Sequence, residues 1–181
     1  FGYDGQWNGL LGSATTAFGG KRWSGMVNIN HRQGQETATK GEVRTRDNTR
    51  TAANPQQRDG RSVLSKLVYA PSDDQRFKLT LEGNEDRTAT DVFSSVDRTT
   101  TTGMTARDTQ TRARLSLAHE MEALPWAAAD SLRWQVYRQD SETTQVTDEA
   151  RSNRSRRHRT FNFDQRAHGL QAVFEKALRT G

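Results

Sequence analysis

Polar and apolar residues alternate with a period of two along much of this sequence. The pattern is clearest in RFKLTLE, where Phe77, Leu79 and Leu81 take one parity and Arg76, Lys78, Thr80 and Glu82 the other. Successive side chains of an extended strand point to opposite faces, so this is a ribbon apolar on one side and polar on the other. Leu10, Gly12, Ala14, Thr16 and Phe18 share a parity before the turn GGKR; Trp23, Gly25, Val27 and Ile29 follow, opposed by Ser24, Asn28 and Asn30. The pair reads as a hairpin. Val63, Leu67 and Tyr69, opposed by Ser62 and Lys66, lead through APSDDQ into the ribbon at 76–82. Ala113, Leu115 and Leu117 oppose Arg112, Arg114 and Ser116, and HEMEALPWAAAD joins them to Leu132, Trp134 and Val136, opposed by Arg133 and Gln135. The weakest alternation sets His168, Leu170, Ala172 and Phe174 against Gly169, Gln171, Val173 and Glu175. Seven strands are expected.

A strand apolar on one side usually rests on a protein core, and here the residues for one are scarce. Of 181 residues 31% are hydrophobic and 27% charged, the net charge is +5 and the mean hydropathy is -0.97. A soluble domain of that composition has little to bury. The absence of cysteine excludes a disulfide framework and a thiolate metal site. The lack of a run of about 18 apolar residues excludes a membrane-spanning helix. It leaves open a membrane-spanning barrel, whose strands are apolar only at every second residue. The chain begins at Phe1 with neither Met nor a signal peptide, as expected of an excised segment or a mature fragment.

Three further features point to the barrel. Connections alternate short and long, and the long ones, at 33–61, 86–108 and 139–160, are rich in Thr, Asp, Asn, Gln and Arg. Outer-membrane barrels keep short periplasmic turns and long extracellular loops. Segments of about 9–11 residues match the length of a tilted strand crossing the hydrocarbon layer. Phe18, Trp23, Tyr69, Phe77 and Trp126 gather at the short turns, as in the aromatic girdles of membrane interfaces. On this reading Phe77, Leu79 and Leu81 face lipid and Arg76, Lys78, Thr80 and Glu82 a wet lumen. Backbone groups in lipid must all be paired, which requires a closed wall. Complete bacterial barrels have an even strand number, so seven strands imply a piece of a larger one. The expected fold class is therefore all-β: an antiparallel up-and-down meander of about seven strands, a segment of a transmembrane β-barrel.

The phrases TAANPQQRDGRSVLSKLVYAPSDDQRFKLTLEG and WQVYRQDSETTQVTDEARSNRSRRHRTFNFDQRAHGLQAVFEKAL resemble early barrel strands of TonB-dependent outer-membrane receptors, in particular the haem and haemoglobin receptor branch. The resemblance covers essentially the whole chain, including its order of strands and loops. It implies a barrel of 22 strands filled by an N-terminal plug, a bacterial outer-membrane location, and uptake of haem or a siderophore-type iron ligand energised by the inner-membrane TonB complex through the plug. Residues 1–181 would then be a partial barrel domain, with 33–61, 86–108 and 139–160 as extracellular loops and 1–9 as the exit from the plug. The plug, the energy-coupling box and the Phe-Arg-Ala-Pro and Asn-Pro-Asn-Leu motifs beside the ligand histidine are not in this sequence; NPQQ at 54–57 is not the latter. No haem ligand carries over to any position here, and no cofactor is expected in this segment.

Individual residues suggest little chemistry. His31, His119, His158 and His168 are far apart and lack the spacing of a metal site, which makes them ordinary strand-end or loop histidines. No Gly-x-Ser-x-Gly elbow surrounds Ser13, no phosphate-cradling Gly-Lys-Ser/Thr loop occurs, and Glu82, Glu85 and Asp86 sit where a strand meets a loop. No catalytic or metal-binding residues are assigned, and no enzyme is expected. RSNRSRRHR at 151–159 carries Arg151, Arg154, Arg156, Arg157 and Arg159. No aromatic residue is interleaved for base stacking, so nucleic acid is not the expected partner. A solvated outer loop that meets lipopolysaccharide phosphates or an acidic ligand fits the charge. Two alternatives stand beside the receptor. One is a soluble antiparallel β domain that binds nucleic acid or an acidic surface through the basic loop, with Leu79, Leu117 and Trp134 in a sandwich core. The other is a self-closed barrel of eight strands with an extra strand near the N-terminus.

Overall fold

The computed structural model describes residues 1–6, 8–97, 99–124 and 128–177. Strands β1 (Gly2–Asp4), β2 (Gly9–Gly19), β3 (Trp23–Gln35), β4 (Gln56–Ser72), β5 (Gln75–Asp91), β6 (Thr101–Met121), β7 (Ser131–Arg151) and β8 (Arg156–Glu175) pair in chain order in one antiparallel sheet. A 3-10 turn, Phe93–Ser95, precedes β6. The meander is as expected; among the described residues the count is eight because Gly2–Asp4 pairs with Gly9–Leu11. β1 and β8 are the two edges, so the sheet is open and the self-closed eight-stranded barrel is not formed.

The polar end departs from expectation. Most of 86–108 is strand, with the connection confined to 92–100, and most of 139–160 is strand, joined by a turn at 152–155. Only 33–61 contains a long connection, at 36–55. In these extensions both parities are polar, so no hydrophobic period marks them. The ladder nevertheless needs only backbone groups, and the threonines of 99–111 and 143–147 suit an extended chain.

Little packs against either face of this sheet. Among the described residues the buried apolar ones are Ala129 and Leu132. Leu79 and Leu117, each 37% exposed, lie in the open on one face, and Trp134 is half-buried beside them. These three do not form a dry centre. In the middle of β5 the polar parity is the more enclosed: Lys78, Thr80, Glu82, Asn84 and Asp86 are half-buried while Leu79 and Leu81 are exposed. In β6 Ser116 is buried between exposed Leu115 and Leu117.

Register aligns side chains into rows. Trp23, Tyr69, Phe77, His119 and Trp134 are successive ladder partners across β3 to β7. Trp23 stacks on Tyr69 at 4.3 Å between ring centroids, Tyr69 on Phe77 at 6.5 Å and Phe77 on His119 at 3.9 Å; Trp134 meets His119 edge-on at 5.7 Å. Of the five rings expected at the short turns, Trp23, Tyr69 and Phe77 join this row and Trp126 lies outside the described residues. Phe18 instead lies over Gly25, where an added Cβ would come within 2.7 Å of the ring. His119, expected as an ordinary strand-end histidine, is a buried member of the row.

On the polar parity, missing side chains let long ones cross. Gly60 lies between Arg32 and Asp86 in one row, and the two form an ion pair of 2.6 Å over it. A Cβ at Gly60 would sit 2.5 Å from Arg32 Nε and 2.6 Å from Asp86 Oδ1. Gly60→Val should break this bridge and crowd the row. Because the pair is partly solvated the cost should be about 1–2 kcal/mol, read as a lower denaturation midpoint with an unchanged strand content; an unaltered midpoint would mean that the bridge holds nothing.

Candidate functional site

The turn at 152–155 decides which of the five candidate arginines meet. Arg154 takes the left-handed backbone conformation at φ 64°, an uncommon state for a residue with a Cβ. Its N–H donates to Arg151 O, and Arg151 N–H donates to Ser155 O, both at 3.0 Å. Asn153 Oδ1 accepts from the backbone N–H and the hydroxyl of Ser155. Ser152 ties the turn to the neighbouring connection by donating from its N–H to Thr100 O and from its hydroxyl to Thr99 O. In that connection Asp97 accepts from Thr100 and Thr99, through hydroxyls and backbone N–H groups, which holds its carboxyl far below the usual range.

Pairing of β7 with β8 then sorts the basic run by parity. Arg157 is the ladder partner of Glu149 and Arg159 that of Thr147, so both share a face with Glu149 and Arg151. Arg151 Nε donates to Glu149 Oε1 at 3.0 Å, Arg159 to Oε2 at 3.3 Å, and Arg157 lies 3.7 Å from Oε2. Thr101 on β6 adds a hydroxyl donor at 3.1 Å. Glu149 is only 8% exposed. Burial pushes its carboxyl up, but the hydrogen bonds from Arg151 and Thr101 and the charges of Arg151 and Arg157 outweigh this and hold it below the usual carboxylate range.

Arg156 and His158 take the opposite parity, where His158 Nδ1 lies 2.7 Å from Asp148 Oδ1. Arg154 and Arg156 make no ion pair among the described residues. The structure thus brings together Arg151, Arg157 and Arg159 and separates Arg154 and Arg156 from them. Glu149, the anchor of the trio, was not singled out by sequence; the signal that finds it is the odd parity shared by 149, 151, 157 and 159 once the turn is placed. Three guanidinium charges against one carboxylate leave two positive charges in excess, with donors to spare on each fork. The cluster sits on a strand end and not in a free loop, so its geometry is held by the ladder.

The other candidates are scattered. His31 Nε2 lies 2.8 Å from Asp59, His119 stacks on Phe77, and no group of three His, Asp or Glu that would hold a metal ion occurs among the described residues. Glu82 lies 3.6 Å from Arg112, Glu85 pairs with Arg87 and Asp86 with Arg32. Compared with known proteins, the chain matches no protein-family model, and no curated protein is significantly similar to it.

The lowered Glu149 carboxyl means that its stabilising effect is present above the ordinary carboxylate value and is lost as the pH falls through a lower one. Amide protection at 149–159, corrected for intrinsic exchange, should therefore hold from neutral pH down past about 4.3 and fall below that. Glu149→Gln should lower protection at neutral pH and remove the acid dependence. An acid dependence that survives in Glu149→Gln would assign it to another group.

Proposed function

We propose that this chain is a wall segment of an energised outer-membrane transport receptor, of the TonB-dependent kind and its haem or haemoglobin branch, taking up haem or another iron chelate. The observation that carries the reading is the burial in the middle of β5 and β6, where the polar parity is the more enclosed and the leucines of the apolar parity lie open. Ile29, Val63, Leu79, Leu81, Leu115, Leu117 and Val136 each keep between 37% and 56% of their surface open. Leaving that area in water forfeits about 4–8 kcal/mol, comparable with the whole stability of a domain. Acyl chains around the sheet would remove the deficit.

The shape of the apolar patch supports the same environment. On the exposed parity it covers 23–29 in β3, 63–69 in β4, 77–83 in β5, 113–121 in β6, 132–136 in β7 and 170–174 in β8. At its upper border Ile29, Val63, Gly83 and Ala113 share one row, while Val136 and Leu170 lie two rows nearer the short turns. At its lower border Met121, Leu132 and Phe174 lie one row beyond Trp23, Tyr69 and Phe77. The band therefore slides by about 7–13 Å across strand spacings totalling about 24 Å, a slant of roughly 15–30°, which is shallower than the tilt of about 35–45° of strands in membrane barrels. Where the band has ended, the exposed parity turns ionic: Arg138 and Arg166 both bond Asp140 at 2.7 Å.

The long strands fit a wall that rises clear of the lipid. β6 and β7 have 21 residues each, about 70 Å of chain, roughly twice the hydrocarbon thickness of about 30 Å. The polar extensions would then stand outside the cell, with the inner parity carrying Arg151, Arg157 and Arg159 toward an acidic ligand and the outer carrying Arg156 toward lipopolysaccharide phosphates. The remaining strands, the plug and its contact with the TonB complex belong to the rest of the receptor.

Refolding tests the environment. The chain should gain sheet structure as a dispersed species in detergent micelles and aggregate in detergent-free buffer. Leu79→Lys and Leu117→Lys should each cost about 2–4 kcal/mol in the micelle-folded state, whereas Thr80→Lys should cost under half as much. A folded, water-soluble monomer that tolerates both leucine variants would contradict the proposal and favour a soluble β domain acting through its basic end.

A further inference from the structure

The middle of the polar parity holds a guanidinium that the sheet leaves unused. Glu82 and Gln139 are the ladder partners of Arg114 on either side. Both turn to Arg112 instead: Glu82 lies 3.6 Å from it, and Gln139 Oε1 accepts from its Nε at 2.9 Å. Arg114 makes no ion pair and no hydrogen bond among the described residues. Its guanidinium carbon lies 4.4 Å from the centroid of the Tyr137 ring. Its Nε is buried without an acceptor, while its terminal nitrogens are not closed off. The ring is fixed in turn, because it lies against Gly169, where an added Cβ would come within 2.1 Å of it.

Beside this fork stands a second unused donor. Ser116 follows Arg114 by two residues on β6, shares its face and is the ladder partner of Tyr137. It is only 6% exposed, yet its hydroxyl makes no hydrogen bond among the described residues and is not closed off. Thr80 and Lys66 continue the row on β5 and β4, likewise without a partner among the described residues. Strands β4 to β7 are all interior, so these donors do not owe their freedom to a missing neighbour. Met104, the ladder partner of Glu149, lies ten residues away along β6, about 33 Å, so this is a different place from the arginine trio.

A planar fork held flat on a ring has little freedom left to lose on binding, and its paired N–H groups match the two oxygens of a carboxylate. A neighbouring hydroxyl can donate to one of those oxygens, and Lys66 adds a favourable charge. We infer that Arg114 and Ser116, on the Tyr137 platform, form a binding site for a carboxylate group, either of a free small acid or of an acidic side chain on a polypeptide laid along this face. The site needs only the ladder register and stands or falls apart from the transport reading.

Sodium acetate is the probe, with sodium chloride at equal ionic strength as the reference, added to the chain folded in neutral maltoside micelles and followed by proton–nitrogen NMR. The Arg114 Nε–H and the Ser116 amide should shift saturably with acetate and not with chloride. Read at the Ser116 amide, Arg114→Lys, which keeps the charge and loses the fork, should weaken half-saturation about tenfold. Tyr137→Leu should weaken it about fivefold and Ser116→Ala about threefold. Arg76→Gln, an exposed charge on the same face, should leave it within about twofold. Acetyl-glutamate N-methylamide separates the sources: binding tighter than acetate assigns the site to an acidic side chain, weaker binding to a free small acid. Shifts that follow chloride equally, no saturation with either carboxylate, or Arg114→Lys within about twofold of the parent would overturn the inference.

Discussion

Backbone hydrogen bonds between neighbouring strands hold this sheet, because so little packs against it. The side-chain contacts along the strands are ones that the ladder places, between strands or between alternate residues of one strand. The aromatic row from Trp23 to Trp134 exists because five strands fall into register at one level. Asn28 reaches Thr15 at 2.6 Å and Asn30 reaches Ser62 at 3.1 Å for the same reason. A slip of one residue in any pair would send each of these side chains to the other face. Glycine allows the wider crossings, as where Arg32 reaches Asp86 over Gly60 and where the Tyr137 ring lies against Gly169.

The fold class was legible in sequence because period two is a local property. RFKLTLE alone states which side chains share a face, and the turns GGKR and APSDDQ fix where the chain reverses. Strand length was not legible. From Asn84 to Asp91 and from Gln139 to Arg151 both parities are polar, so nothing in hydrophobic patterning separates a strand standing in water from a loop. The extra strand at Gly2–Asp4 is too short for any pattern.

The site was legible only in part, and the missing information was register. RSNRSRRHR announces positive charge, but which arginines converge depends on the left-handed turn at Arg154 and on the pairing of Glu149 with Arg157. The same pairing puts Phe161 and Phe163 in line with Arg157 and Arg159, although no aromatic residue lies within the basic run itself. Likewise His119 looks isolated in sequence and becomes a ring in a stack once it is set opposite Phe77.

On the transport reading the two parities differ in solvent as well as in composition, and that difference is open to direct measurement. Spin labels on single cysteines at 78, 79, 80, 116, 117 and 118, in the micelle-folded chain, report collision with oxygen, which concentrates among acyl chains, and with a water-soluble nickel chelate. Oxygen accessibility is expected to peak at 79 and 117 and nickel accessibility at 78, 80, 116 and 118. Labels at 79 and 117 shielded from oxygen, or equal accessibility at both parities, would contradict the account.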